Sequence, residues 1–156
     1  MGRTYLLERA QTLPRPLEEV FAFFADARNL EALTPPWLKF RILTEGELPM
    51  HAGALIDYRI RLHGIPIRWR TEIAAWEPPR FFVDQQLRGP YSLWHHAHHF
   101  EALDANTTRV IDRVDYAHWG GGLIERFFVR PELERIFAYR AEQLEARFGA
   151  PATQPA

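Results

Sequence analysis

The sequence predicts an α+β domain: a curved antiparallel sheet of about seven strands wrapped around a long C-terminal helix, with two short helices between strands 1 and 2. Three observations carry this. Between residues 38 and 117 apolar side chains recur at every second position. Between Leu123 and Phe148 they recur at helical spacing. The links between these segments are short and rich in turn residues, so consecutive strands pair antiparallel. The length of 156 residues suits one domain of about 100–200 residues. We place it at residues 1–149, with a Pro-rich flexible tail at 150–156.

Residues 4–12 read as a strand that Pro14 and Pro16 stop. Leu17, Val20, Phe21 and Phe24 fall at i, i+3, i+4 and i+7 and predict a helix over 17–24. Asp26 is placed to cap a second short helix over 27–33, which Pro35-Pro36 ends. Leu38, Phe40 and Ile42 then alternate with Lys39 and Arg41 as a strand. The segments 56–62, 67–75, 81–87, 93–103 and 107–117 follow as five more, the last two joined by Asp104-Ala105-Asn106. Gly120-Gly121-Gly122 reads as a flexible connector, since the Lys-Ser/Thr of a phosphate loop is missing. Leu133, Phe137, Arg140 and Leu144 form the buried stripe of a helix of about 39 Å. Pro131 inside that pattern predicts a kink or restart. The long helix is the one element big enough to cover the dry face of the sheet. A hollow is left between them, plugged by the short helices.

Composition narrows the chemistry. Cysteine is absent, which removes disulfides, thiolate nucleophiles and Cys-based metal sites. A net charge of −1 argues against a nucleic-acid partner bound by a basic field. No apolar stretch approaches the ~20 residues of a membrane span, and the N-terminus lacks a signal peptide or myristoylation pattern. We expect a cytoplasmic protein without stable membrane insertion. The 21 aromatic residues, 11 Phe, 5 Trp and 5 Tyr, are the outstanding feature.

Several strings carry a family likeness: Thr34-Pro35-Pro36-Trp37, Gly64-Ile65-Pro66 with Arg68-Trp69, Trp76-Glu77-Pro78-Pro79, Arg88-Gly89-Pro90-Tyr91, Trp94-His95-His96 with His98 and Phe100, and Asp112-Arg113-Val114 with Tyr116. With the element order, they resemble the START-like, or SRPBCC, helix-grip superfamily over residues 4–148, and within it a bacterial polyketide cyclase/dehydrase-like branch. His118-Trp119-Gly120 stands where that branch would carry a proline near a glycine. The resemblance implies binding of a hydrophobic or aromatic small molecule (lipid, polyketide or quinone-like) in the cavity. It does not choose among carriers, sensors and enzymes, because fold alone does not set function.

Strand parity says which side chains face the hollow. Trp69 with Thr71, Trp94 with His96 and His98, and Asp112 with Tyr116 share the apolar parity of their strands. A hairpin symmetric about Ala105 sets His98 opposite Asp112 and His96 opposite Val114. The expected ligand-binding set is Tyr58, Trp69, Trp94, His96, His98, Asp112, Tyr116, Phe137 and Arg140. The His98–Asp112 pair has three readings: a satisfied structural pair, a device that orients a ligand's polar end, or an acid–base pair. In the last, Asp112 orients His98 and Tyr116 donates, as in a cyclase or dehydratase. His96 and His98, about 6.6 Å apart along one strand, suggest a metal, but three converging ligands are needed and Asp112 is the one third candidate. We therefore expect no metal and no cofactor. Asp84 and Gln86 are assigned with Arg68, Arg70 and Glu72 to the outer face, unless a bulge shifts their strand by one residue. Arg140 is expected to snorkel or to meet an inward acid such as Asp112. A non-catalytic interaction module, with a filled interior and an exposed apolar patch, is the remaining alternative. The edge strands allow a monomer or a homodimer.

Overall fold

The computed structural model describes residues 3–151. Met1, Gly2 and the tail from residue 152 lie outside the described residues. Tyr5–Leu13 forms β1, and Pro16, held extended, delivers the chain into α1, Leu17–Phe24. Five apolar residues of α1 are buried: the four at helical spacing, and Phe23. The Asp26 carboxylate accepts from the Arg28 backbone N–H at 3.0 Å, capping a 3₁₀ turn at Ala27–Asn29 that continues as α2, Leu30–Leu33.

The next segment departs from expectation. The strand anticipated over 38–42 shrinks to β2, Arg41–Ile42. Pro36–Leu38 winds into a second 3₁₀ turn, and Lys39 takes a left-handed φ of 49° that no strand accommodates. Five long strands follow: β3 (Leu55–Leu62), β4 (Ile65–Glu77), β5 (Phe81–Arg88), β6 (Leu93–Asp104) and β7 (Thr107–Ala117). All neighbours pair antiparallel in the order β1-β7-β6-β5-β4-β3-β2. The β3–β4 hairpin turns through His63-Gly64, both at positive φ (51° and 80°). That matches the backbone twist of a two-residue hairpin loop and explains the glycine.

The β4–β5 ladder slips twice. Ile73 faces Asp84 while Ala75 faces Val83, so Ala74 is the extra residue on β4. A second slip between Arg70 and Thr71 leaves Leu87 unpaired on β5. The first moves the buried parity of β4 from Trp69, Thr71 and Ile73 to Trp76, which pairs with Phe82.

The C-terminal helix runs as α3 (Gly121–Ile124), a π-helical stretch (Glu125–Val129) and α4 (Arg130–Phe148). Two residues of the glycine run expected as a connector thus already belong to α3. Pro131 has no N–H to donate, and the backbone changes its hydrogen-bond pattern just before it, so the expected restart takes the form of a π insertion. α4 buries the predicted stripe, Leu133, Phe137, Arg140 and Leu144, together with Phe148. Packing divides into two main apolar clusters. One joins α1 to Phe82, Phe100, Leu144 and Phe148. The other joins Leu7, Trp69, Trp94 and Val114 to Leu133 and Phe137.

Leu144, 1% exposed, sits where α4 meets α1. Leu144→Ala should lower unfolding free energy by about 3 kcal/mol in urea titrations. Leu6→Ala, at a 43% exposed position, should cost well under about 1 kcal/mol. Equal losses would contradict this assignment of the core.

Candidate functional site

A sheet that curves around one helix cannot be filled by that helix alone. The structure keeps a cavity of about 450 Å³ between β3–β6, the short helices and α4. Phe24 and Leu33 close one side, and Ile56, Tyr58 and Trp69 form the sheet wall. Leu133, Ile136 and Phe137 descend from α4. Exposed His63 and Phe128 lie on its rim. The aromatic wall is continuous: Tyr58 stacks on Trp69 at 5.6 Å, and Trp69 meets Trp94 edge-on at 5.4 Å.

Polar groups gather on one stretch of this lining. The inward face of β6 presents His96 and His98, whose rings stack 3.7 Å apart. His98 Nε2 lies 2.5 Å from Asp84 Oδ2 on β5. His96 Nε2 lies 2.8 Å from Asp112 Oδ1 on β7. Arg140 comes down from α4 and donates to Asp112 Oδ1 at 3.3 Å and toward His98 Nδ1 at 3.4 Å. The cluster lies between aromatic neighbours. Phe82 stacks on His98 at 4.1 Å, and Trp94 and Phe137 lie 6.2 and 5.6 Å from His96.

Burial and charge set the protonation states. Burial opposes an imidazolium at His98 and lowers its pKa to about 4, with the neighbouring His96 adding to the effect and Asp84 opposing it. His98 is thus neutral at neutral pH. Burial alone would raise the Asp112 carboxyl, but the Arg140 guanidinium and His96 hold it well below the usual carboxylate range. Asp84 is likewise held low, against its burial, by His96, His98 and Arg140. Burial raises the cavity phenols of Tyr58 and Tyr91, so both stay protonated.

Tyr58, Trp69, Trp94, His96, His98, Phe137 and Arg140 all lie on the cavity wall, whereas Asp112 and Tyr116 do not line it. The cross-strand register is the predicted one, His98 opposite Asp112 and His96 opposite Val114. The side-chain partners differ. His96 bends toward Asp112, while His98 Nδ1 stays 3.5 Å from Asp112 Oδ1 and its Nε2 is given to Asp84. Tyr116 also departs from the donor role considered for it. It is fully buried, and its hydroxyl donates to Glu125 Oε2 at 2.7 Å behind the cavity wall. Burial and that hydrogen bond push its pKa up to about 12.

Asp84 is the residue placed on the wrong face of its strand. It shares the face of Phe82, and Asp84↔His96 and Phe82↔His98 are paired across β5 and β6. Gln86 is not on the outer face as a surface ladder would have it; its side chain bridges to the Tyr91 backbone at 2.7 and 3.1 Å. Phe81-Phe82-Val83 is apolar at three successive positions and hides the parity of β5. The β5–β6 ladder runs from Phe81 to Gln85 without a slip, so no bulge in β5 turns Asp84 inward; taking buried Phe82 as the inward residue puts Asp84 on the same face by plain alternation.

A family model for polyketide cyclase/dehydrase and lipid transport proteins matches residues 13–145. No curated protein sequence matches the chain. Among solved structures, an aromatase/cyclase from Streptomyces sp. R1128 superposes with a TM-score of 0.73 at 18% identity, covering 93% of each chain. A START superfamily protein from Mycobacterium smegmatis has a TM-score of 0.69 at 13% identity, covering 92% of this chain and 96% of its own. A norcoclaurine synthase variant from Thalictrum flavum, solved with a transition-state analogue, has a TM-score of 0.66 at 10% identity, covering 94% and 98%. At these identities the likeness is one of fold.

Arg140→Met would leave Asp112 without its cation. Thermal or urea unfolding should show a loss of about 3 kcal/mol. Combining it with Asp112→Asn should cost at least about 1 kcal/mol less than the two single losses summed. Strict additivity would mean that the two groups do not interact.

Proposed function

The chain belongs to the polyketide cyclase/dehydrase and lipid transport family, and on that footing we propose that it binds an apolar aromatic small molecule bearing oxygen acceptors between the sheet and α4. The observation that carries the reading is the cavity itself. Its volume of about 450 Å³ falls within the roughly 300–1,000 Å³ of small-molecule sites. Its walls are aromatic and aliphatic, and its polar groups are confined to one stretch, as orientation of a single polar end requires.

The donors on the wall favour a ligand with acceptors. Trp69 Nε1 and Arg140 Nε are buried without a hydrogen-bond partner among the described residues. A buried donor left unmade costs roughly 1–3 kcal/mol, so a carbonyl or phenolic oxygen that reaches either is favoured over a pure hydrocarbon. Tyr58 and Tyr91 add protonated hydroxyl groups to the same lining.

The catalytic alternative has less support. Both ring nitrogens of His98 face protein groups, Asp84 on one side and Arg140 with Asp112 on the other. That leaves no free nitrogen for a substrate proton. The interaction-module alternative expects a filled interior, against which the cavity speaks. Its exposed apolar patch is present at Trp119, Leu123, Phe127 and Phe128. Phe128 also belongs to the cavity rim, so the ligand reading accounts for that patch as the surround of an entrance.

Quenching of Trp69 and Trp94 fluorescence reports entry into the cavity. 1-Naphthol should bind at least about fivefold more tightly than naphthalene, the lower end of one satisfied buried donor. Thr71→Phe, which fills the sheet wall of the cavity, should weaken both by tenfold or more while circular dichroism stays unchanged. Binding of both probes that is indifferent to Thr71→Phe would remove the cavity as the ligand site.

A further inference from the structure

We propose that Asp84, His96 and His98 form a binding site for a divalent first-row transition-metal ion on the cavity wall. Each residue offers one ligand atom, and the three atoms lie within 4.8 Å of one another. His98 Nε2 and His96 Nδ1 face the same oxygen, Asp84 Oδ2, at 2.5 and 3.7 Å. Ligand atoms about 2.0–2.2 Å from a metal stand roughly 2.8–3.6 Å from each other, from octahedral to tetrahedral geometry. The two observed distances bracket that range; the His98 nitrogen must draw back from the Asp84 oxygen by up to about one ångström, and the two histidine nitrogens, within 4.8 Å of each other, must close on one point. The spacing of the histidines alone argued against a metal because Asp112 was the one third ligand in view. The inward turn of Asp84 supplies the third ligand, and Asp112 takes a different place.

That place is behind the ligands. A histidine that binds metal through one nitrogen normally gives its other N–H to a carboxylate. His96 Nε2 is 2.8 Å from Asp112 Oδ1, which leaves Nδ1 toward Asp84. When His98 binds through Nε2, its ring proton moves to Nδ1, 3.5 Å from the same Asp112 oxygen, and the Arg140 N–H that points at Nδ1 turns fully to Asp112. No proton is gained or lost in that change of tautomer. Charge points the same way. Asp112 has Arg140, whereas Asp84 has no Arg or Lys within 4.0 Å among the described residues. Two imidazoles and one carboxylate leave the remaining coordination positions open to the cavity, the donor set of a site that also accepts water or a ligand oxygen. His95 and His99, on the same strand with the opposite parity, point away and take no part.

The test uses full-length, tag-free, chelator-treated protein titrated with Zn²⁺ by calorimetry and with Co²⁺ by visible absorption. One metal per chain is expected. Asp84→Asn, which keeps the volume and an acceptor for His98, should weaken binding more than tenfold, and Asp112→Asn by about 10–100-fold. A His95→Gln/His99→Gln variant should bind as the unaltered chain does. Zn²⁺ should raise the thermal midpoint of that double variant and leave Asp84→Asn unmoved, which separates lost ligation from lost folding. Absence of stoichiometric binding, loss of it in the His95/His99 variant, or full affinity in Asp84→Asn would each overturn the proposal. The assay contains no organic ligand, so its outcome is independent of the naphthol experiment.

Discussion

Arg140 and Asp112 meet 3.3 Å apart on the seam between α4 and the sheet, both nearly inaccessible to solvent. A guanidinium on the buried stripe of a helix must find an acid or leave the interior. The acid it finds is on β7, and much of the polar interior follows from that contact. Asp112 takes His96, the two imidazoles stack, and His98 takes Asp84. A line of polar contacts therefore crosses from the helix through β7 and β6 to β5. It sits between the two main apolar clusters, and neither could absorb it without leaving a charge unpaired.

The hollow is the geometric counterpart of that line. Helix α4 is anchored at the sheet side formed by β1, β7 and β6, where Leu133, Leu144 and Phe148 are almost completely buried. The sheet continues past it through β5, β4 and β3, and the space left over is walled by Tyr58, Trp69 and Trp94. Rings suit this task because they cover much area with few rotatable bonds, and Tyr and Trp keep a polar tip for whatever enters. The short helices α1 and α2 shut the cavity with Phe24 and Leu33.

One extra residue, Ala74, has effects well beyond its own strand. By shifting the β4–β5 register it lets Trp76 pack on Phe82 and α1. The same ladder sets Asp84 against Ile73 on one side and His96 on the other. The unbroken β5–β6 pairing makes this carboxylate part of the cavity wall, with two imidazole nitrogens facing it. The π-helical stretch before Pro131 works similarly at the other end, where buried Glu125 receives the Tyr116 hydroxyl and lies 3.2 Å from His118 Nε2.

Periodicity by itself determined the element order, the antiparallel pairing, the symmetric β6–β7 hairpin and the buried stripe of α4, because each depends on spacing within a segment or across a short turn. It also determined that His96 and His98 share the inward parity of their strand, and it left Arg140 either to snorkel or to meet an inward acid; the structure decided for the acid. The tertiary structure alone decided the partners. Directly opposed residues need not bond, and His98 turned from Asp112 to Asp84 because the neighbouring strand brought a second carboxylate closer. Asp84 was illegible because its strand is apolar on both faces near Phe82, so alternation alone does not say which parity faces in, and pairing with His96 on β6 decides it. Lys39 ended a strand that alternation had extended, and Tyr116 is buried away from the cavity with its hydroxyl on Glu125. In each case the deciding contact comes from an element remote in sequence or from one residue's backbone conformation, which a pattern of alternating hydrophobicity does not encode.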